Sequence, residues 1–177
     1  MYYWTADEHF GHNNIIKYVN RPFTNIHEMN EELIERFNSK VTKDDITIHA
    51  GDFALVNKRN EVAKKFIDRL NGKHTFLWGS HDYWQKPRNY YHEIHEVKID
   101  GIWIVTSHYQ MTSWRASQYN SWHLYAHAHG QSESVGKSMD VGVDPNNFYP
   151  ISFDEIKVIM NSKPDNPNLI PQKERRY

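Results

Sequence analysis

Apolar residues open the chain as a short run over positions 2–6 and stop at Asp7. Over residues 25–41 the pattern changes, with Ile26, Met29, Leu33 and Phe37 recurring at the three- and four-residue spacing of an amphipathic helix. The first unit therefore reads strand, loop, helix. "TKDD" turns the chain into a second apolar strand over residues 46–50, "GDF" interrupts it, and "NEVAKKFIDRLNG" predicts a helix that stops near Gly72. "HTFLW" is the next strand. In "EIHEVKIDGIWIVTSH", Ile94 and Val97-x-Ile99 lead through Asp100-Gly101 to Ile102 and Ile104, a β-hairpin signal that makes the sheet arrangement mixed. Late strands are expected at "WHLYA" and "MDVGV". Ser152, with Glu155 three residues on, predicts a capping box for the helix in "SFDEIKVIMNS", and the prolines after Ser162 predict an extended polar tail over residues 163–177.

This alternation delivers polar residues to strand ends. Asp7-x-His9 follows the first strand, Gly51-Asp52 the second, Ser80-His81-Asp82 the third, His108 the return strand of the hairpin, and His127-x-His129 the strand after it. In open α/β sheets ligands bind beyond the carboxyl ends of strands, so residues far apart in sequence can converge there. One Asp-x-His pair is a weak signal; five such strand ends in order are a specific one.

Composition sharpens this picture in two places. Twelve histidines are scattered through the 177 residues rather than gathered in a tract, and imidazole is both a common metal ligand and the usual acid–base group near neutrality. His27, His49, His74, His92, His95 and His123 read as ordinary surface or core residues. The chain has no cysteine, which excludes disulfides, thiolate ligands and cysteine nucleophiles. Charge is uninformative: 21 Lys+Arg against 22 Asp+Glu give −1, which favours neither nucleic acid nor membrane and leaves a local patch for nucleic acid open. No apolar run is long enough to span a bilayer, and "MYYWTADEH" lacks the parts of a signal peptide, so a cytoplasmic location is expected.

The residue types suit a pair of divalent ions. Two ions about 3.5–4 Å apart share a carboxylate and take several N or O ligands each, clamping a phosphate oxygen while hydroxide is generated as nucleophile. Carboxylate with imidazole, and no thiolate, suits manganese, iron or zinc rather than calcium. Gly51 and Gly79 let the chain turn sharply off its strands.

The order "DEH…GD…GSHD…SHY…AHAHG" resembles the calcineurin-like metallophosphoesterase superfamily, with its D-x-H, G-D, G-N-H-D, H and G-H-x-H pattern, from Asp7 to Gly130. "DEHFGHNNIIKYVNRPF" is similar to a small single-domain branch found in bacteria and their phages. The resemblance implies an α/β fold, a four-layer α/β/β/α sandwich with two mixed sheets, filling residues 1–162. It implies that Asp7, His9 and His129 hold one metal, that Asp52 bridges, and that His108 and His127 hold the second. Two ions are expected, manganese foremost, with iron, zinc or nickel as alternatives. His81 would be the catalytic group, donating to the phosphate or to the leaving oxygen.

Three positions depart from that pattern. Ala126 replaces a glycine, which costs little where φ is not positive. "GDFAL" lacks the Asp or Asn that many members carry shortly after G-D and that in some of them orients the catalytic histidine. Ser80 replaces an asparagine ligand of the second metal, and its shorter hydroxyl predicts a weaker second site. His12 and Arg21, in the loop after the first metal pair, are expected to contact phosphate, and Tyr109 and Trp114, in the loop after His108, to stack on a nucleobase. The function expected is hydrolysis of a small phosphomonoester or phosphodiester, with a nucleotide as one option. The rival is a non-catalytic binding module on the same fold with a degraded second site. A one-metal hydrolase of another ester has less support, because no separate nucleophile or oxyanion loop is visible.

Overall fold

The computed structural model describes residues 1–56, 60–85 and 93–174. Among these residues eight strands form two four-stranded mixed sheets. In the first, the order is β3 (Lys73–Phe76), β2 (Ile46–His49), β1 (Tyr2–Thr5) and β8 (Ile151–Ser152); β1, β2 and β3 run parallel and β8 antiparallel to β1. The second runs β4 (Ile94–Ile99), β5 (Ile102–Ser107), β6 (Trp122–Tyr125) and β7 (Ser138–Asp140), with the β4–β5 hairpin antiparallel and the other pairs parallel.

Strand alternation decides what each sheet face buries. Trp4, Ile48 and Leu77 of the first sheet side meet Ile104, Trp122 and Leu124 of the second in one core between the sheets. On the opposite face, Tyr3 packs under α2 (Ile26–Lys40), whose Met29, Leu33, Ile34 and Phe37 form its buried stripe. Asn25 caps α2 by accepting from Glu28 N at 3.0 Å. α1 (Ile15–Tyr18) and α3 (Asn60–Ile67) flank this layer; α3 ends at Ile67, and turns rather than helix carry the chain to Gly72. α4 (Phe153–Ser162) has the full capping box and puts Phe153, Ile156 and Met160 into the core between the sheets.

The outer face of the second sheet is covered by chain from two places. His123 on β6 lies under Trp114, and the segment after Ser162 returns across residues 117–121. Its Asn166 is buried, donating to the Ser117 and Ser121 carbonyls at 2.9 and 3.0 Å and accepting from Lys137 N at 2.7 Å. His49 and His74 sit in the first sheet's outer core, linked to each other at 3.1 Å and, through His49 Nδ1, to buried Glu8 at 2.6 Å. His92 lies outside the described residues. No helix among the described residues is long and apolar enough to cross a membrane.

Candidate metal centre

The loops that leave β1, β2, β3, β5 and β6 meet at one edge of the two sheets. Asp7, His9 and His129 offer ligand atoms within 4.8 Å of one another; Asp52, His108 and His127 form a second such triad, and His9, Asp52 and His81 a third. Asp52 lies between the first two, its Oδ2 3.7 Å from His9 Nε2 and 3.4 Å from His108 Nε2. Five of these side chains stand on left-handed backbone: Asp7, His9, Asp52, His127 and His129 have φ between 49° and 71°. Outside glycine that region costs free energy and concentrates at functional sites. Backbone bonds hold it in place, among them Asp7 N to Gly51 O and His9 N to Asp52 O, both 3.0 Å. Ala126 is not among the left-handed residues, so its methyl group meets no backbone penalty.

The two glycines are required by close approach. A Cβ on Gly79 would lie 2.2 Å from Asp52 N and Oδ1, and one on Gly51 2.7 Å from His108 Nδ1. The turn after β3 is fastened by Asp82, which is fully buried and accepts from Asp52 N (2.7 Å), Gly79 N (3.0 Å), Ala54 N (3.2 Å) and Trp84 Nε1 (2.8 Å). Burial pushes its pKa up to about 6 against the pull of the Trp84 hydrogen bond. Asp82 therefore binds two ligand loops together from behind.

Further groups orient the ligands. His108 Nδ1 donates to Ala50 O at 3.0 Å, which turns Nε2 toward Asp52. His129 Nδ1 donates to Asp144 Oδ2 at 2.6 Å, and Asp144 also takes a two-pronged bond from Arg21, 2.8 Å at both Nε and Nη2. This carboxylate–histidine arrangement fixes the tautomer and ring direction of a metal ligand. Asp140 accepts from Gly130 N and Gly142 N at 2.8 and 2.7 Å, anchoring the loop that carries His127 and His129. Sequence reasoning missed Asp140 and Asp144: each lies ten or more residues from the group it supports, and "MDVGVDP" carries no motif that marks them.

Arg21 corrects an expectation. It is 4% exposed and spends its guanidinium on Asp144 and on the carbonyls of Asp7 (2.6 Å) and Glu8 (3.0 Å). It supports the ligand loop from beneath and does not face a substrate. His12 is half-buried beside the cluster, its Nδ1 3.3 Å from His9 Nδ1. His81 is half-buried too, its ring centroid 5.1 Å from that of His9 and 5.5 Å from that of His12. Tyr109, 53% exposed, stands over His108 and His127 at 4.9 and 4.7 Å. Trp114 is at none of the ligands; its ring lies on His123. Ser80 Oγ donates to Asp52 Oδ2 at 3.1 Å.

The electrostatics suit a cation. Burial first, then the charges of Asp52 and Asp140, drives the Asp7 carboxyl well above its ordinary range. Burial acts to raise Asp52 as well, but the His108 imidazole 3.4 Å away, the neighbouring His9 and the His81 backbone N–H overcome it and hold the carboxylate ionised. His9 is pulled far down by burial and stays neutral, the form that ligates. Three buried atoms at the centre, Asp7 Oδ1, His9 Nε2 and His108 Nε2, have no hydrogen-bond partner. Buried polar atoms are nearly always paired, and ions are one of the partners that account for exceptions. The donor set of two carboxylates and four imidazoles fits a pair of divalent ions.

No protein-family profile matches the chain. In structure it is similar to a protein of unknown function, AQ665, from Aquifex aeolicus, with a TM-score of 0.68 at 22% identity over 90% of this chain and 98% of that one. A conserved protein from Streptococcus pneumoniae TIGR4, titled a "predicted phosphoesterase", is 17% identical over 80% of this chain and 70% of its own, and its TM-score of 0.42 carries no weight. In sequence the chain is 31% identical over 169 residues to "Uncharacterized protein MJ1445" of Methanocaldococcus jannaschii, spanning 91% of this chain and 92% of the relative. A match of that identity along nearly the full length of both proteins places the chain in the family of MJ1445.

Proposed function

We propose that the protein is a metal-dependent phosphoesterase of the calcineurin-like superfamily, with two divalent ions, manganese foremost, and a small phosphorylated substrate. The observation that carries this reading is the gathering of three unpartnered buried ligand atoms, two of them within 3.7 Å of the Asp52 carboxylate that two triads share. Each such atom costs about 1–3 kcal/mol if nothing meets it. Asp7, His9 and His129 would hold one ion, Asp52, His108 and His127 the other. Bound there, the ions supply Lewis acidity toward a phosphate oxygen and lower the pKa of water near neutrality.

The chain's own residues do the rest. Asp144 and Ala50 O keep the His129 and His108 rings turned to the centre. His81 reaches the open side of the cluster, its Nε2 4.0 Å from Asp52 Oδ2, where it can donate a proton to the leaving oxygen. His12 stands beside it as a contact for the phosphate. The cysteine-free composition suits the cytoplasm.

The test pairs metal analysis with hydrolysis of phosphomonoesters, linear diesters and cyclic nucleotides in the presence of manganese. Asp52→Asn removes the charge that both ions would share and is expected to abolish turnover. His81→Ala is expected to keep its metal and lose roughly 10²–10⁴-fold in turnover. If His81→Ala loses metal in proportion, His81 is a ligand, as the His9–Asp52–His81 triad would allow. Absence of hydrolysis over the whole panel at saturating metal would favour the binding module.

A further inference from the structure

A groove of about 390 Å³ is lined by Gln110, Met111, Trp114, Glu133, Val135 and Asn168 among others, from the chain that follows His108 and the chain that follows His129. It begins two residues past His108, so Gln110 Cα lies within about 7.6 Å of the Cα of that ligand. Its second wall comes from the loop that follows His129. Gln110 Nε2 donates to Glu133 O at 2.9 Å and ties the two walls together. The volume lies in the range of small-molecule sites.

The lining has a definite chemistry. Trp114 rests one face on His123, with centroids 5.1 Å apart and planes at 31°, and its indole N–H is spent on Ser121 O at 3.2 Å. What it presents to the groove is a fixed aromatic face. Met111 N is likewise spent, on His123 Nε2 at 3.0 Å, and the Asn168 amide is held by Ser117 Oγ at 2.8 Å. Among the described residues no Lys, Arg or His lines the groove, while the acidic residue Glu133 does, and its side chain forms no ion pair among them. An anion is therefore disfavoured here. A flat, uncharged ring with N–H donors is favoured.

We propose that this groove takes the base of a nucleoside phosphate, stacked on Trp114 with an exocyclic amine donating to Glu133, while the phosphate reaches the metal centre past Tyr109. The second half of this statement rests on the phosphoesterase reading; the first half does not. Stacking of a base on an aromatic side chain is worth roughly ten- to hundredfold in affinity.

The experiment titrates the metal-free full chain with adenosine, cytidine, uridine and ribose 5-phosphate, followed by tryptophan fluorescence and calorimetry. Adenosine and cytidine are expected to bind saturably, uridine more weakly, and ribose 5-phosphate not at all. Trp114→Ala should weaken adenosine at least tenfold. Should that variant fail to fold, Val135→Arg fills the groove from a side chain that is 51% exposed and should block binding equally. Glu133→Gln should weaken adenosine and cytidine and leave uridine unchanged. No saturable binding up to the solubility of the nucleosides, or equal binding by Val135→Arg, overturns the proposal. Nucleoside binding without hydrolysis of any nucleotide by the metal-loaded protein would keep the groove and discard the phosphoesterase reading. Hydrolysis of simple aryl phosphates without nucleoside binding would do the reverse.

Discussion

Ser80 spends its hydroxyl on Asp52, 3.1 Å from Oδ2, and so draws electron density from the carboxylate that the Asp52–His108–His127 and His9–Asp52–His81 triads share. An asparagine there would bring an amide oxygen toward the second triad in its place. Titration of the metal-free protein with manganese is therefore expected to show one tight and one weaker site, and Ser80→Asn to tighten the weaker one by about tenfold, on the scale of changes to groups that support metal ligands. Identical isotherms for the two proteins would count against a role for this position. The residues that gather at this edge of the sheets were legible in the sequence because each stands within a few residues of a strand end, where the local pattern shows it. Asp144 was not, since its partners are 15 and 123 residues away and meet it only when the sheets close. Arg21 was misread for a physical reason: the planar fork that matches a phosphate matches the Asp144 carboxylate equally well.

Ligand loops, strands and helices depend on one another at the next scale. The left-handed turns after β1, β2 and β6 are unfavourable by themselves, about 1–3 kcal/mol per residue, and persist because Asp82, Asp140 and the Arg21–Asp144 pair fasten them. Removing one member of a buried pair leaves the other charge without compensation. Arg21→Met is accordingly expected to lower unfolding stability by about 3–5 kcal/mol in denaturant melts. Asp144→Asn strands the buried Arg21 charge in the same way and should in addition cost 10–100-fold in metal affinity, because His129 loses the carboxylate that orients it. A stable Arg21→Met protein whose only defect is a raised KM would restore Arg21 to the phosphate. The elements with strong periodicity, α2, α4 and the β4–β5 hairpin, could be read before the fold was known. β8 could not, because two residues carry no period, and it exists only as an antiparallel partner of β1.

Across the whole molecule, the same burial that builds the core also sets how stability responds to acid. His123 is fully buried in the outer layer of the second sheet, donating from Nδ1 to Val105 O at 3.1 Å and accepting at Nε2 from Met111 N. Both nitrogens are committed to the neutral ring, and burial lowers its pKa to about 4, outweighing the Val105 bond that favours the cation. His74 is lowered to about 4 and His49 to about 3, by burial in each case. A group with a depressed folded pKa binds fewer protons folded than unfolded, so its contribution is complete above the unfolded value near 6.5 and is lost as pH falls toward 4. Glu8 runs the other way: burial raises it to about 8, so its contribution is complete below about 4.5 and lost as pH rises through 8. Between pH 4.5 and 6.5 Glu8 and its partner His49 therefore offset each other, the raised Asp7 and Asp82 act against the lowered His9 in the same way, and His123 and His74 each add a slope of one sign. In metal-free protein, where loss of ligated ions cannot contribute, stability is expected to fall with acid by up to about 1.4 kcal/mol per pH unit for each of these two histidines. His123→Gln keeps an acceptor for Met111 N but cannot take up a proton. It should be less stable than the parent at pH 7 and should lose about one proton's worth of slope between pH 6.5 and 4, so the two stability curves converge in acid. Parallel curves over that interval would mean that His123 is not held neutral by its place in the fold.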